Sequence, residues 1–215
     1  MFDTIILLAG AVEHAALASV LRSHNPQLLV HPVFTAADLA AIEREWLQRS
    51  RLIAFAAPAG VPPELLDQLG FGAYRFHPGS PLYPDPAPAR FALQDGASHF
   101  GATAHRLTPR DDAGPIVDVE MFPVPQAIGL ACLEELTFGR MLQMFWRLAG
   151  PLSTQASPLV QRAMRWSPRR ESEVGAPAPQ GRQGGPSVLR DVSKRPRRNL
   201  VALHAVSNET DAVEA

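Results

Sequence analysis

Residues 51–80, RLIAFAAPAGVPPELLDQLGFGAYRFHPGS, carry the pattern that decides the fold. RLIAFAAP (51–58) is a continuous apolar run of the length of a strand buried on both faces. PPELLDQLG (62–70) opens on proline and closes on glycine, the punctuation of a short helix. FGAYRFHP (71–78) is a second strand, ending on His77 and Pro78. A strand, a helix and a strand in such quick succession make a unit whose strands run parallel.

The same alternation extends both ways. Toward the N-terminus, TIILLAG (4–10) and QLLVHPVF (27–34) read as strands, with a helix from Val12 to Arg22 between them. TAADLAAIEREWLQRS (35–50) reads as one helix, capped by Thr35, with Leu39, Ile42 and the anchor Trp46 on one face. Toward the C-terminus, PARFALQDG (88–96) is helical, and FGATAHRL (100–107) and PIVDVEMFPV (115–124) are strands. Residues 126–152 form a long, mostly apolar helix. On it Cys132 reads as a buried packing residue, and Met141, Phe145 and Trp146 as core or a partner-helix face. The fold class is therefore α/β, a twisted, mainly parallel sheet with helices on both faces. Ligands of such sheets lie beyond the carboxyl ends of the strands, and His77 stands at such an end.

The chain has 215 residues, enough for one good-sized domain and a tail. We place the domain at 1–150, a connecting segment at 151–167 and a tail at 168–215. Pro, Gly and Arg dominate that tail, which lacks the apolar periodicity of a packed element. Within it only NLVALHAV (199–206) has the pattern of a strand. Truncation after Pro168 is expected to leave the melting temperature nearly unchanged; a large drop would mean the tail docks as structure. Cys132 is the single cysteine, so no disulfide forms within the chain. A net charge of −1 gives no global argument for nucleic acid, and SKRPRR (193–198) reads as a short solvated basic run. MFDTIILLAG is too short to span a bilayer and has no basic flank, so it reads as a strand rather than a signal. No membrane partner is expected, and the cytoplasm is the default location. Lys194 is the only lysine among many arginines, alanines and prolines, as in a GC-rich, bacterial genome. The sequence sets no oligomeric state.

The candidate chemistry comes from His77, from His105 in GATAHRL and from Asp112 in DDAGPIV, a loop between two strands. Each alone is ordinary, since a lone histidine is commonly structural and Asp-Ala-Gly-Pro is a turn. As two histidines and one carboxylate they have the ligand types of a metal site, although the spacing matches no tight metal motif. Gly10, after the first strand, is a weak phosphate-turn signal without a fuller glycine pattern. His14, His24, His31 and His99 have no identifiable partners.

In this order, RFHPGS, GATAH and DDAGPIV resemble the folate-dependent formyltransferase family over roughly residues 1–150. Its members formylate glycinamide ribonucleotide, the methionyl group of initiator tRNA, or amino sugars. The resemblance implies a Rossmann-like formyltransferase fold, 10-formyltetrahydrofolate as donor, a small-molecule amine as acceptor, and no metal. His77 and Asp112 match the family's catalytic histidine and aspartate. LIAFAAPAGVPPELLDQLG (52–70) resembles the segment lining the folate pocket. It implies cofactor contacts from Phe55, Ala57, Pro58 and Val61, with His105 and Asp111 completing the set. In the implied reaction a charged histidine stabilises the formyl oxygen, and the carboxylate favours that charge and helps route the amine's proton.

Two departures stand out. Arg75 occupies the place of the family's asparagine, so a permanent cation shares a strand face with His77. Either Arg75 binds the developing oxyanion itself, or the pocket is repurposed in a non-catalytic homologue that binds folate or another small ligand. The loop GSPLYPDPAPA (79–89) differs from the family's Ser-Leu-Leu-Pro type and lacks its Arg-Gly step, so the acceptor is not carried over. No second β-rich domain of the kind tRNA formyltransferases carry is evident. The expected acceptor is thus a nucleotide sugar or another small amine rather than tRNA.

Overall fold

The computed structural model describes residues 2–57, 60–109 and 114–168. The apolar runs become β1 (Thr4–Leu8), β2 (Leu29–Val33), β3 (Ser50–Phe55) and β4 (Ala73–His77), followed by β5 (His99–Leu107) and β6 (Ile116–Pro123). They form one six-stranded sheet in the order β2-β1-β3-β4-β5-β6. The first four strands run parallel, and β5 and β6 are antiparallel to their neighbours. The short link between β5 and β6 allows only an antiparallel return. Helices α1 (Ala11–His24), α2 (Ala36–Ala40), α3 (Arg44–Arg49), α4 (Pro63–Leu66), α5 (Pro88–Gln94) and α6 (Leu130–Thr154) connect the strands and cover the sheet. The architecture is the expected mainly parallel α/β sheet.

Strand alternation sorts the core into two layers. On one face Ile5, Leu7, Ile53, Phe55, Tyr74 and Phe76 pack with Leu17 and Leu21 of α1 and Met141 and Phe145 of α6. On the other, Ile6, Leu8, Leu52, Ala54 and Ala73 pack with Leu39, Leu47 and Leu65 from α2, α3 and α4. Arg75 and His77 alternate with Tyr74 and Phe76, so both belong to the second face.

Residues 35–50 are two helices, not one. Thr35 caps α2 as expected: its hydroxyl accepts from the Asp38 amide at 3.1 Å. The Asp38 carboxylate accepts in return from the Thr35 amide at 2.9 Å. A further bond from the Phe34 amide is the largest of the effects that hold Asp38 below its ordinary pKa. Thr35→Ala is expected to cost about 1 kcal/mol, measured by urea denaturation. The helix stops at Ala41, and Glu43 restarts it from an extended conformation. That break re-phases the second half. Leu47 becomes the buried anchor, while Trp46 stays 41% exposed, contrary to its expected role.

α6 corrects a second expectation. Its buried stripe runs through Leu133, Thr137, Met141, Met144 and Phe145. Cys132 is one residue off that stripe and is exposed. Trp146 also points outward, whereas Met141 and Phe145 are core.

From Gln155 to Pro168 the chain returns to the sheet without regular secondary structure. Arg51, fully buried, ties down the turn. Its guanidinium donates to the carbonyl of Leu152 at 2.6 Å and to those of Ser157 and Phe71 at 3.2 Å. It also stacks over the rings of Phe2 and Tyr74, 4.7 and 5.5 Å from their centroids. The Leu159 amide then donates to the Tyr74 hydroxyl at 2.9 Å. Next, the Arg162 amide bonds the Ile116 carbonyl at 2.8 Å, and its guanidinium pairs with Asp118 at 2.7 Å. Arg147 of α6 holds the same carboxylate from the other side at 2.9 Å. The segment starts on the first core and passes Ile116 and Gly114 at the start of β6. It ends with Trp166 against residues of the second face.

Candidate functional site at the carboxyl end of β4

His77 is the last residue of β4. The antiparallel register sets Arg75 opposite His105 and His77 opposite Thr103. Arg75, His77 and His105 therefore come together on the second face, a conjunction that only the strand pairing supplies. Thr103 fastens the loop that follows by donating to the Gly79 carbonyl at 2.7 Å. At Gly79 a side chain has no room. A Cβ would meet the His77 ring nitrogen at 2.5 Å and Pro88 at 2.6 Å. Glycine lets the loop fold back onto the imidazole.

His77 Nε2 lies 3.0 Å from the carbonyl of Tyr83. A carbonyl only accepts, so Nε2 is the donor in this contact and carries the proton. The loop that supplies this carbonyl is itself packed. Ser80, Pro81, Tyr83, Pro84 and Asp85 are buried, and the Tyr83 ring packs against Phe100 at 5.8 Å. Over both imidazoles stands Trp166. Its ring lies 5.7 Å from that of His77 and 5.0 Å from that of His105, edge to face in each case. Beside it opens a cleft of about 600 Å³ lined by Pro84, Thr108, Ile116, Met164, Arg165 and Trp166.

The other candidates separate. Phe55 is 1% exposed and packs against Phe76, Phe138 and Phe145 in the first core, so the structure makes it core rather than pocket wall. Val61 is buried in the second core, and Ala57 packs against it. Pro58, Asp111 and Asp112 lie outside the described residues. Ala56, directly after β3, has φ 47°. This left-handed conformation is strained for alanine and falls at the strand edge where such sheets place ligands. The Gly10 turn is no open cradle. The Glu13 carboxylate occupies the space beside it, and a Cβ there would meet it at 2.2 Å. His14 packs its ring against Phe34, and burial, aided by Arg22, lowers its pKa.

Two residues escaped the sequence reading. Asp85, in the loop that follows β4, is 6% exposed, and its Oδ2 has no hydrogen-bond partner among the described residues. A buried carboxylate in a proline-walled loop is costly, and such groups gather where a ligand completes them. The other is Trp166, an aromatic residue isolated in a polar stretch, which was the available signal. Among the described residues no three His, Cys, Asp or Glu side chains stand together as a metal site, and none of the helices is long and apolar enough to cross a membrane.

No family model matches the sequence. The fold, however, is that of solved formyltransferases. A sugar N-formyltransferase from a Shewanella species superposes with a TM-score of 0.62 at 13% identity, covering 78% of this chain and 76% of that one. The N-formyltransferase of Helicobacter canadensis, in complex with folinic acid and dTDP-3-aminofucose, gives 0.58 at 14% identity, covering 78% and 70%. Phosphoribosylglycinamide formyltransferase from Streptococcus pneumoniae gives 0.51 at 17% identity, covering 71% and 97%.

Proposed function

We propose that this chain transfers a formyl group from 10-formyltetrahydrofolate to the amine of a small-molecule acceptor, with residues 1–150 as its catalytic domain, in the cytoplasm. The observation that carries the reading is His77 at the carboxyl end of β4, sharing one face with Arg75 and His105. The Helicobacter canadensis enzyme, with the same fold, holds a folate and a nucleotide-linked amino sugar. A nucleotide-linked amino sugar is accordingly the acceptor class we favour here.

The donor supplies an activated formyl carbon bonded to a nitrogen. When an amine attacks that carbon, negative charge grows on the formyl oxygen. The bond to the donor nitrogen then breaks, and that nitrogen takes up the proton the amine gives up. His77, once protonated at Nδ1, donates to the oxygen while Nε2 stays on the Tyr83 carbonyl. Asp112 is assigned the carboxylate role that favours the charged imidazole. Arg75 either adds a second donor to the oxygen or, in the alternative reading, leaves a folate-binding protein without transfer activity.

Purified protein with 10-formyltetrahydrofolate and a panel of amines, nucleotide amino sugars included, tests the proposal. Turnover is expected, and His77→Gln should lower it by about a hundred- to a thousandfold. Turnover that ignores this substitution would remove His77 from the chemistry. Absence of turnover together with tight folinic acid binding would favour the non-catalytic reading.

A further inference from the structure

We propose that residues 163–168 form a strap that closes the site, with Trp166 as its plug, and that a ligand approaching His77 must displace it. The strap has a fixed end and a light end. Up to Arg162 it is held by the Tyr74 hydroxyl, the Ile116 carbonyl and the Asp118 carboxylate. Beyond Arg162, the described hydrogen bonds are from the Trp166 indole N–H to the Gly114 carbonyl and from the Ser167 amide to the Pro81 carbonyl, both 2.9 Å. Ala163, Met164, Arg165 and Pro168 are exposed, and only Trp166 and Ser167 are partly buried. Such a segment opens at low cost, because few contacts are lost when it lifts.

The indole nevertheless stands at the place of interest. It presses on both imidazoles, so a group that is to hydrogen-bond His77 from that side meets Trp166 first. The anchor at Arg162 keeps the strap tethered when displaced, and Met164, Arg165 and Trp166 all border the cleft of about 600 Å³. The ring is thus an internal competitor, and its release is a step in ligand entry. The closing action does not depend on which ligand enters; only the ligand arm below rests on the proposed function.

The test uses the full chain and two variants, Trp166→Ala and Ser167→Pro. The second removes the amide that bonds Pro81 and keeps the indole. Circular dichroism first establishes that both are folded. Diethyl pyrocarbonate modification of His77 and His105 is followed by mass spectrometry, with exposed His99 as internal reference. Trp166→Ala, which loses the indole bond and both ring contacts, should raise the His77 rate roughly ten- to a hundredfold, and Ser167→Pro, which loses one hydrogen bond, roughly two- to tenfold. Unchanged rates in both folded variants would overturn the strap, whatever the ligand does. The second arm measures folinic acid binding. Tighter binding to Trp166→Ala than to wild type is expected. Weaker binding would overturn the competition and make Trp166 a wall of the site. Faster His77 modification with no folinic acid binding in any form would support the strap and count against the formyl-donor reading instead.

Discussion

Arg51→Met is expected to destabilise the protein by about 3–5 kcal/mol, the cost of breaking a buried charged hydrogen-bond centre rather than of trimming a contact. Arg51 is fully buried at the start of β3 and donates to the carbonyls of Phe71, Leu152 and Ser157. Methionine fills similar volume but offers no donor. The Leu152 carbonyl, buried at the end of α6, loses its closest partner. Stacking on Phe2 and Tyr74 is lost as a cation–π interaction, though not as apolar area. Arg51→Lys should recover only a fraction, because an ammonium cannot span three carbonyls that a planar fork reaches together. In a domain of this size the methionine variant should melt roughly 10 °C lower, read by differential scanning calorimetry. A drop of only a degree or two would show that water replaces the guanidinium, and that the turn after α6 is held by Leu159 and Arg162 instead.

That residue also marks where the sequence stops being legible. The strands and helices follow from apolar periodicity, because a doubly covered sheet needs continuous apolar runs and its helices need one apolar stripe. Arg51 sits inside such a run and gives no sign that its partners are carbonyls about 100 residues away. The phase change between Leu39 and Leu47 depends on a break at Ala41–Glu43, which no proline or glycine announces. Cys132 was one helical position from being buried, and that distance lies within the uncertainty of any stripe read over a long apolar helix. Phe55 followed from its place in a pocket-like segment, yet strand alternation turns its ring to the opposite face. The site was legible as far as its local chemistry went. The glycine beside His77 and the proline-rich loop could be read in place, and His105 entered through a motif. Trp166 could not, because it arrives through an aperiodic segment whose path is set by Arg51, Tyr74 and Asp118.

Arg75→Asn is expected to change transfer activity by one to three orders of magnitude, and the sign of the change separates the two readings of the site. Arg75 lies on the His77 face and directly opposite His105, so the substitution removes a cation from the strand face that carries both imidazoles. If the guanidinium serves as the oxyanion donor, asparagine replaces a charged fork with a neutral amide and activity falls. If the guanidinium instead keeps His77 from carrying its own positive charge, the same change restores a neutral donor beside a chargeable ring, and activity rises from a low base. Both branches share one requirement. With the cation gone, His77 and His105 should titrate at higher pH than in the wild type, because a neighbouring positive charge disfavours a second one. NMR of the imidazole Cε1 protons in the two proteins measures this directly. The contribution of Trp166 is removed by making the comparison again in Trp166→Ala, where the indole is absent from both members of the pair. Histidine titrations that coincide in both backgrounds would mean that Arg75, although on the same face, does not act on the imidazoles electrostatically. A change in activity would then have to come from the shape of the pocket.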